Sequence, residues 1–322
     1  MHNLFIRGEL RDIFLGKFDR IFTTMISFTP NELPVSKMHQ YLLSSIGPRP
    51  IAFASTIDLE GRPNLAPFSF FNVFSANPPI LIFSPARSGR SNTTKDTYNN
   101  VKVHPEVVLN VVNFDILEQM SLASSPYPVG ENEFIKAGLT PIPSDIVKPF
   151  RVKESPVQFE CRVNQVIELG TEGGAGNLII CEVLKFHIHE HLLDENQQID
   201  QQKIDLVSRM GGNWYCRADT NAMFELTKPI TSCGIGFDHL PVDFVKSEVF
   251  TKNHLARLAG IEEIPNETEV NEYKLIELSD LFVSLDKQPK ELELALHKRA
   301  KLLLEENKLK DAWLTLLSFN NG

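Results

Sequence analysis

Between positions 69 and 97 the sequence sets two groups of residues that together could hold one flat, charged molecule. Ser69-Phe70-Phe71-Asn72 offers backbone groups and polar side chains beside large apolar faces, which suits a heteroaromatic ring with polar edges. Ser84, Arg87, Ser88, Arg90, Ser91, Asn92, Thr93, Thr94, Lys95 and Thr97 then crowd hydroxyls and cations into one run that leads into an expected helix start. Such a run can bind a phosphate through hydroxyls, cations and the unpaired amides of a helix N-terminus. Taken alone it also reads as a solvated Ser/Thr-rich loop with a helix cap. Its closeness to a ring-sized surface favours a nucleotide-like cofactor.

Other chemistry finds little support. The chain contains no GxSxG, GxGxxG, GxxxxGK[ST] or HExxH pattern. Gly173-Gly174-Ala175-Gly176 lies between two expected strands and does not open a helix, so it reads as a hairpin turn. His187, His189 and His191 alternate along a strand end without a Cys or carboxylate at ligand spacing, so they read as surface or barrel-lining residues and no metal is expected. The four cysteines form neither a disulfide framework nor a zinc pattern and are expected as reduced thiols in a cytoplasmic protein. With 41 Asp+Glu against 32 Lys+Arg and a formal charge of −9, nothing draws the chain to a phosphate backbone, and no nucleic-acid partner is expected. Nor does any apolar run approach the ~20 residues that cross a bilayer, so no membrane association is expected. Charges interrupt the first 28 residues as they would not in a signal peptide. Met25 is an alternative start, which would make the preceding residues an upstream extension; a short amphipathic helix packing on the body is the other reading.

The elements that must position these residues follow from turn chemistry. Short β-branched and aromatic runs are expected as strands over 51–57, 64–71, 79–83, 107–112, 158–169 and 177–189. Brief helices are expected near 94–103, 115–124 and 131–137. Many short strands joined by tight turns indicate a closed or nearly closed antiparallel barrel. After position 237 the pattern turns helical and ends in an expected long amphipathic helix over 290–317. Leu302, Leu309 and Leu316 fall there at seven-residue steps beside Trp313, on a face that packs on the chain's own body or pairs as a coiled coil. The chain thus divides into an N-terminal extension (1–28), a barrel domain (29–229) and a mainly helical C-terminal extension (230–322).

At these residues the sequence resembles the flavin reductase-like FMN-binding split-barrel family, especially the branch of flavoredoxin and the reductase component of nitrilotriacetate monooxygenase. The resemblance rests on six ordered motifs: PRPIAFAST (48–56), DLEGRPNLAPFSFFNVFSANPP (58–79), KDTYNN (95–100), EFIKAGLTP (133–141), ESPVQFEC (154–161) and RMGGNWY (209–215). It spans about 34–228 and leaves both ends uncovered. It implies a mainly β, Greek-key-like split β-barrel with peripheral helices, six strands to the barrel, assembled as a homodimer with FMN, rather than FAD, near the subunit interface. Carried over by position, Ser69, Phe70, Phe71 and Asn72 would face the isoalloxazine, and Ser84, Lys95, Asp96 and Thr97 would serve the ribityl phosphate end. Arg49, Ser55 and Thr56 are further candidates. Each also has a structural reading: Phe70 and Phe71 as core, Asp96 as a helix cap. The implied function is an NAD(P)H-dependent flavin reductase passing a hydride from nicotinamide to FMN, with a monooxygenase or redox protein as possible partner. Flavin carries that chemistry, so no catalytic residue is assigned. The alternatives are a flavoredoxin-like electron carrier without direct NAD(P)H use and a flavin-free split-barrel binding protein.

Overall fold

The computed structural model describes residues 25–226 and 233–319. The expected N-terminal extension lies outside these up to residue 24, and so does the expected boundary at 229/230. The chain divides into two compact units, Met1–Phe224 and Glu225–Gly322.

The first unit runs α1 (Val35–Ser45), β1 (Ala52–Ile57), β2 (Pro63–Phe68), β3 (Phe71–Ala76), β4 (Pro79–Phe83), α2 (Asp96–Val103), β5 (Glu106–Val111), α3 (Leu117–Ala123), α4 (Glu133–Ala137), β6 (Pro141–Ile142), β7 (Arg151–Val152), β8 (Val157–Glu168), β9 (Asn177–Ile188), β10 (Val207–Arg209) and β11 (Tyr215–Arg217). Seven strands form one antiparallel sheet in the order β2-β1-β5-β8-β9-β4-β3. All seven contribute to one apolar cluster, from Phe68 on β2 through Ala54, Leu109, Cys161, Ile179 and Phe83 to Phe71 on β3, so the sheet curls around its own interior. The rings of Phe68 and Phe83, near opposite edges of the sheet, stand 5.6 Å apart. The edges β2 and β3 do not pair with each other, so the barrel is split and not closed.

β1 explains how the curl is held. All six of its residues are buried, and successive side chains point to opposite faces. Ala52 and Ala54 enter the interior cluster, while Phe53 packs outward against Leu65, Met120 and Phe134 beneath α3 and α4. Pro63 and Pro67 lie in β2, where an edge strand tolerates a missing N–H.

The structure corrects two details of the strands and bears out a third. The run expected as one strand over 64–71 ends at Phe68, because β1 pairs with β2 only as far as Ala52 opposite Phe68. The chain then turns through Ser69-Phe70 and forms β3 against β4, a seventh strand whose exposed Asn72, Val73 and Phe74 give no alternating signal. The glycine-rich segment is the expected turn, joining β8 and β9 where Leu169 N–H donates to Gly176 O at 3.0 Å.

The second unit holds α5 (Val242–Lys246), α6 (Lys252–Leu258), α7 (Glu267–Glu277), α8 (Ser279–Ser284), α9 (Pro289–Glu305) and α10 (Leu309–Leu317) around its own core of Phe244, Leu258, Leu304 and Trp313. The single helix expected over 290–317 is two helices. Asn307 turns to φ 62°, and Lys308 N–H donates back to Leu303 O at 2.8 Å, a left-handed cap that ends α9. Leu302 is therefore exposed while Leu316 and Trp313 are buried, and the seven-residue spacing does not mark one face.

Candidate functional site

Ser69 and Phe70 occupy the two-residue passage between the sheet edges, where the curl leaves its opening. Phe70 remains 39% exposed and meets His39 of α1 edge-on, ring centroids 6.4 Å apart. Its carbonyl accepts from Ser84 N–H at 2.9 Å, which draws the end of β4 to the same place. Ser84 is held from the other side as well, since its Oγ accepts from Asn177 N–H at 3.0 Å and Asn177 Nδ2 donates to Pro85 O at 2.9 Å. A side chain at Gly176 would press on that hydroxyl, its Cβ only 2.9 Å from Ser84 Oγ.

Lys95 stands immediately before α2, with Asp96 in the first turn and Thr97 buried behind it. A polar network beneath them fixes this end. Asn64 Nδ2 donates to Thr97 Oγ1 at 3.0 Å and to Thr56 Oγ1 at 3.1 Å, and Asn100 Nδ2 donates to Thr56 Oγ1 at 3.0 Å. Among the described residues Lys95 makes no ion pair. Arg87 does not compete for its role, because its guanidinium is spent on Asn92 Oδ1 and O within its own loop, both at 2.7 Å.

Six of the eleven expected residues, Ser69, Phe70, Ser84, Lys95, Asp96 and Thr97, line a single cavity of about 450 Å³. The cavity has an aromatic end at Phe70 and His39 and a polar end at Lys95–Thr97, with Tyr127 and Glu133 also on its wall. The other five lie elsewhere. Phe71 packs on the interior cluster, and Asn72 is exposed on β3 with its Oδ1 accepting from Val73 N–H. Thr56 sits in the supporting network, and Ser55 is fully buried with its hydroxyl unpartnered. Arg49 is buried and donates to the carbonyls of Leu43 (2.6 Å), Ile46 and Met210 (2.9 Å), tying the end of α1 to the 209–215 hairpin. Sequence reasoning missed His39, Ser124–Tyr127 and Glu133. Glu133 lies in the EFIKAGLTP motif, which was the one available signal.

Glu133 differs from an ordinary surface carboxylate. Its Oε2 accepts from Leu65 N–H at 3.0 Å. Burial raises its pKa, the Leu65 and its own backbone hydrogen bonds oppose that, and the charges of Asp96 and Glu131 add to the rise. A second cavity, of about 230 Å³, adjoins the first and shares Asn64, Asp96 and Glu133 with it.

His187 is on neither wall. Its Nε2 lies 2.7 Å from Glu160, a fully buried carboxylate that also accepts the backbone N–H groups of Asp145, Ile146 and Val147 at 2.8, 2.7 and 3.2 Å. Asp145, Glu160 and His187 bring their ligating atoms within 4.8 Å of one another. Lys185 binds Asp145 at 2.5 Å and Arg151 approaches Glu160 at 3.8 Å, so cations of the protein already neutralise this cluster.

Residues 44–203 match the flavin reductase like domain. The structure is similar to nitrilotriacetate monooxygenase component B from Bacillus cereus, at 33% identity and a TM-score of 0.59, covering 63% of this chain and 99% of that one. It is also similar to the 2-nitrobenzoate 2-nitroreductase of Pseudomonas fluorescens, at 26% identity and a TM-score of 0.58, covering 66% and 100%. A third similar structure, a Shewanella frigidimarina protein described with a split barrel domain, has 25% identity and a TM-score of 0.53, covering 63% and 100%. Among the described residues no helix is long and apolar enough to cross a membrane.

Proposed function

This chain belongs to the flavin reductase-like family, and on that premise we propose that it is an NAD(P)H-dependent flavin reductase that holds FMN in the 450 Å³ cavity. The observation that carries the reading is that Ser69-Phe70, Ser84 and Lys95–Thr97, separated in sequence, line one space with an aromatic end and a cationic end. The residues present fit a flavin mononucleotide. Phe70 and His39 would flank the ring, and Lys95, the Ser84 hydroxyl and the first amides of α2 would take the phosphate. Bound flavin would supply the hydride chemistry. The protein's part is to orient the ring, hold the phosphate and leave one ring face open to a nicotinamide.

No acid or base has to act for such a transfer, which accords with the absence of the usual catalytic motifs. A homodimer is part of this reading: Val73 and Phe74, each 63% exposed on edge strand β3, offer an apolar strip that a second copy would cover. So is a partner monooxygenase, by likeness to the Bacillus cereus component B. The test is the visible spectrum of protein loaded with FMN and freed of excess, followed anaerobically after NADH and then NADPH. Retained flavin that bleaches supports the reductase and identifies the donor. Retained flavin that neither donor bleaches replaces it with an electron carrier, and protein that binds no flavin removes both readings.

A further inference from the structure

We propose that Glu133 makes the binding of a phosphorylated ligand in this cavity depend on pH, repelling the phosphate as a carboxylate and donating an O–H to it once protonated. This rests on the placement of the phosphate at Lys95–Thr97.

The geometry points to Glu133 in three ways. Its side chain lines the larger cavity and the smaller one, so it stands on the partition between them beside Asn64 and Asp96. It is held there: Asn132 caps α4 through Phe134 N–H at 3.0 Å, and Phe134, the next residue, is fully buried. Finally, among the described residues no side chain donates to either of its oxygens, and its partner Leu65 N–H engages Oε2. The carboxyl group thus has hydrogen-bonding capacity left over, in a cavity whose lining also includes the cation of Lys95.

The charges around it make the proton necessary. Asp96 at the start of α2 and Glu131 on the preceding loop are both negative, and Glu131 is paired with Lys136 at 3.1 Å. On the side of the smaller cavity, Arg62 is held by Asp58 at 2.6 Å and Glu60 at 3.0 Å, so that guanidinium is already neutralised. From α3, which packs on α4, the titratable residue is the exposed Glu118. In the larger cavity His39 and Tyr127 are the remaining titratable groups, with His39 at the aromatic end against Phe70. A phosphate entering beside Asp96 and an ionised Glu133, with Lys95 the one full positive charge among the groups that would take it, meets repulsion from both carboxylates. Uptake of one proton by Glu133 converts a repelling charge into a hydrogen-bond donor.

The consequence is a ligand affinity that falls as pH rises, by up to about tenfold per pH unit where one proton is taken up on binding. The experiment measures dissociation constants of FMN and of riboflavin, which lacks the phosphate, by quenching of flavin fluorescence between pH 6 and 9. In the wild-type protein FMN should weaken as pH rises, beyond what the phosphate's own second pKa of about 6 produces, while riboflavin stays level. Riboflavin also reports any contribution of His39, since it occupies the aromatic end. Glu133→Gln keeps an acceptor for Leu65 N–H and presents a permanent N–H, so it should bind FMN at pH 8 at least about fivefold more tightly and flatten the profile. Glu133→Asp should keep the slope. The proposal is overturned if FMN and riboflavin share one pH dependence in the wild type, a comparison that needs no variant, or if Glu133→Gln leaves the FMN slope unchanged. A wild-type protein that binds neither flavin overturns the underlying placement along with it; binding without the predicted slope overturns this proposal alone.

Discussion

Two carboxylates of the barrel unit in separate surroundings, Glu160 and Glu133, both accept backbone N–H groups, yet their proton affinities move in opposite directions. For Glu160 burial alone would raise the pKa, but the Asp145 N–H, the His187 ring and the Ile146 and Val147 N–H groups outweigh it and hold the group below its ordinary value. For Glu133 burial prevails over the Leu65 N–H, and Asp96 and Glu131 push the same way. Counting donors explains the contrast. Glu160 is saturated by a loop that folds around it, so it is a fastening and has nothing left to offer a ligand. Glu133 is under-supplied in a cavity wall, which is where a group free to bind or release a proton belongs.

That contrast is open to direct attack, beginning with the greatest effect. Glu160→Ala should cost about 3 kcal/mol or more in urea unfolding, because it strands three backbone donors and the buried end of Arg151, while protein kept folded retains its FMN affinity. A loss of flavin with no loss of stability would invert the assignment. The pH dependence follows with a definite sign. A group whose folded pKa lies below its unfolded value adds stability above the unfolded value and loses it as pH falls through the folded one, so acid unfolding below about pH 4.5 should be less steep in Glu160→Gln than in wild type. For Glu133 the sign reverses: its folded pKa is raised, its contribution is present at acid pH and lost as pH rises, and Glu133→Gln should melt slightly higher than wild type at neutral pH. Lys95→Met should leave the melting temperature in place and weaken FMN by about 10- to 100-fold, as expected for loss of a charge-assisted hydrogen bond worth about 1.5–3 kcal/mol, with riboflavin little affected. Phe70→Ala should weaken FMN and riboflavin alike by up to about tenfold, the measure of an aromatic contact of about 0.5–1.5 kcal/mol. Least of all, Asn72→Ala should change stability by no more than about 0.5 kcal/mol. Titration with FMN should give its wild-type affinity if one chain completes the site; a clear loss would mean that a second copy brings Asn72 to the ring.

What the sequence disclosed follows from how locally each feature is determined. The turn at 170–176 and the strands on either side are written in neighbouring residues, and the family motifs point to Ser69, Phe70 and Lys95–Thr97, which line one cavity. The break at Asn307 was hidden because Leu, Glu and Lys continue across it with helical periodicity, and the left-handed cap depends on one residue. β3 was hidden because its outward residues are as apolar as inward ones. His39 left no sign in the sequence and Glu133 only its place in the EFIKAGLTP motif, since each reaches the cavity through tertiary packing, His39 from α1 and Glu133 from α4. Arg49 shows the converse: its place in the PRP motif invites a ligand role, while the structure gives its guanidinium to three backbone carbonyls.

The Ser69-Phe70 passage sets a dimension as well as a surface. Phe68 ends β2 and Phe71 begins β3, so three Cα–Cα steps of 3.8 Å, about 11 Å at full stretch, are all that separates the two borders of the sheet at this end. That dipeptide is a caliper: the same length that limits how far the barrel can gape would limit how thick a molecule could lie against it. Lengthening it by a single residue would recalibrate the slot and loosen the curl together, so the fit of the ligand and the closure of the fold cannot be tuned separately.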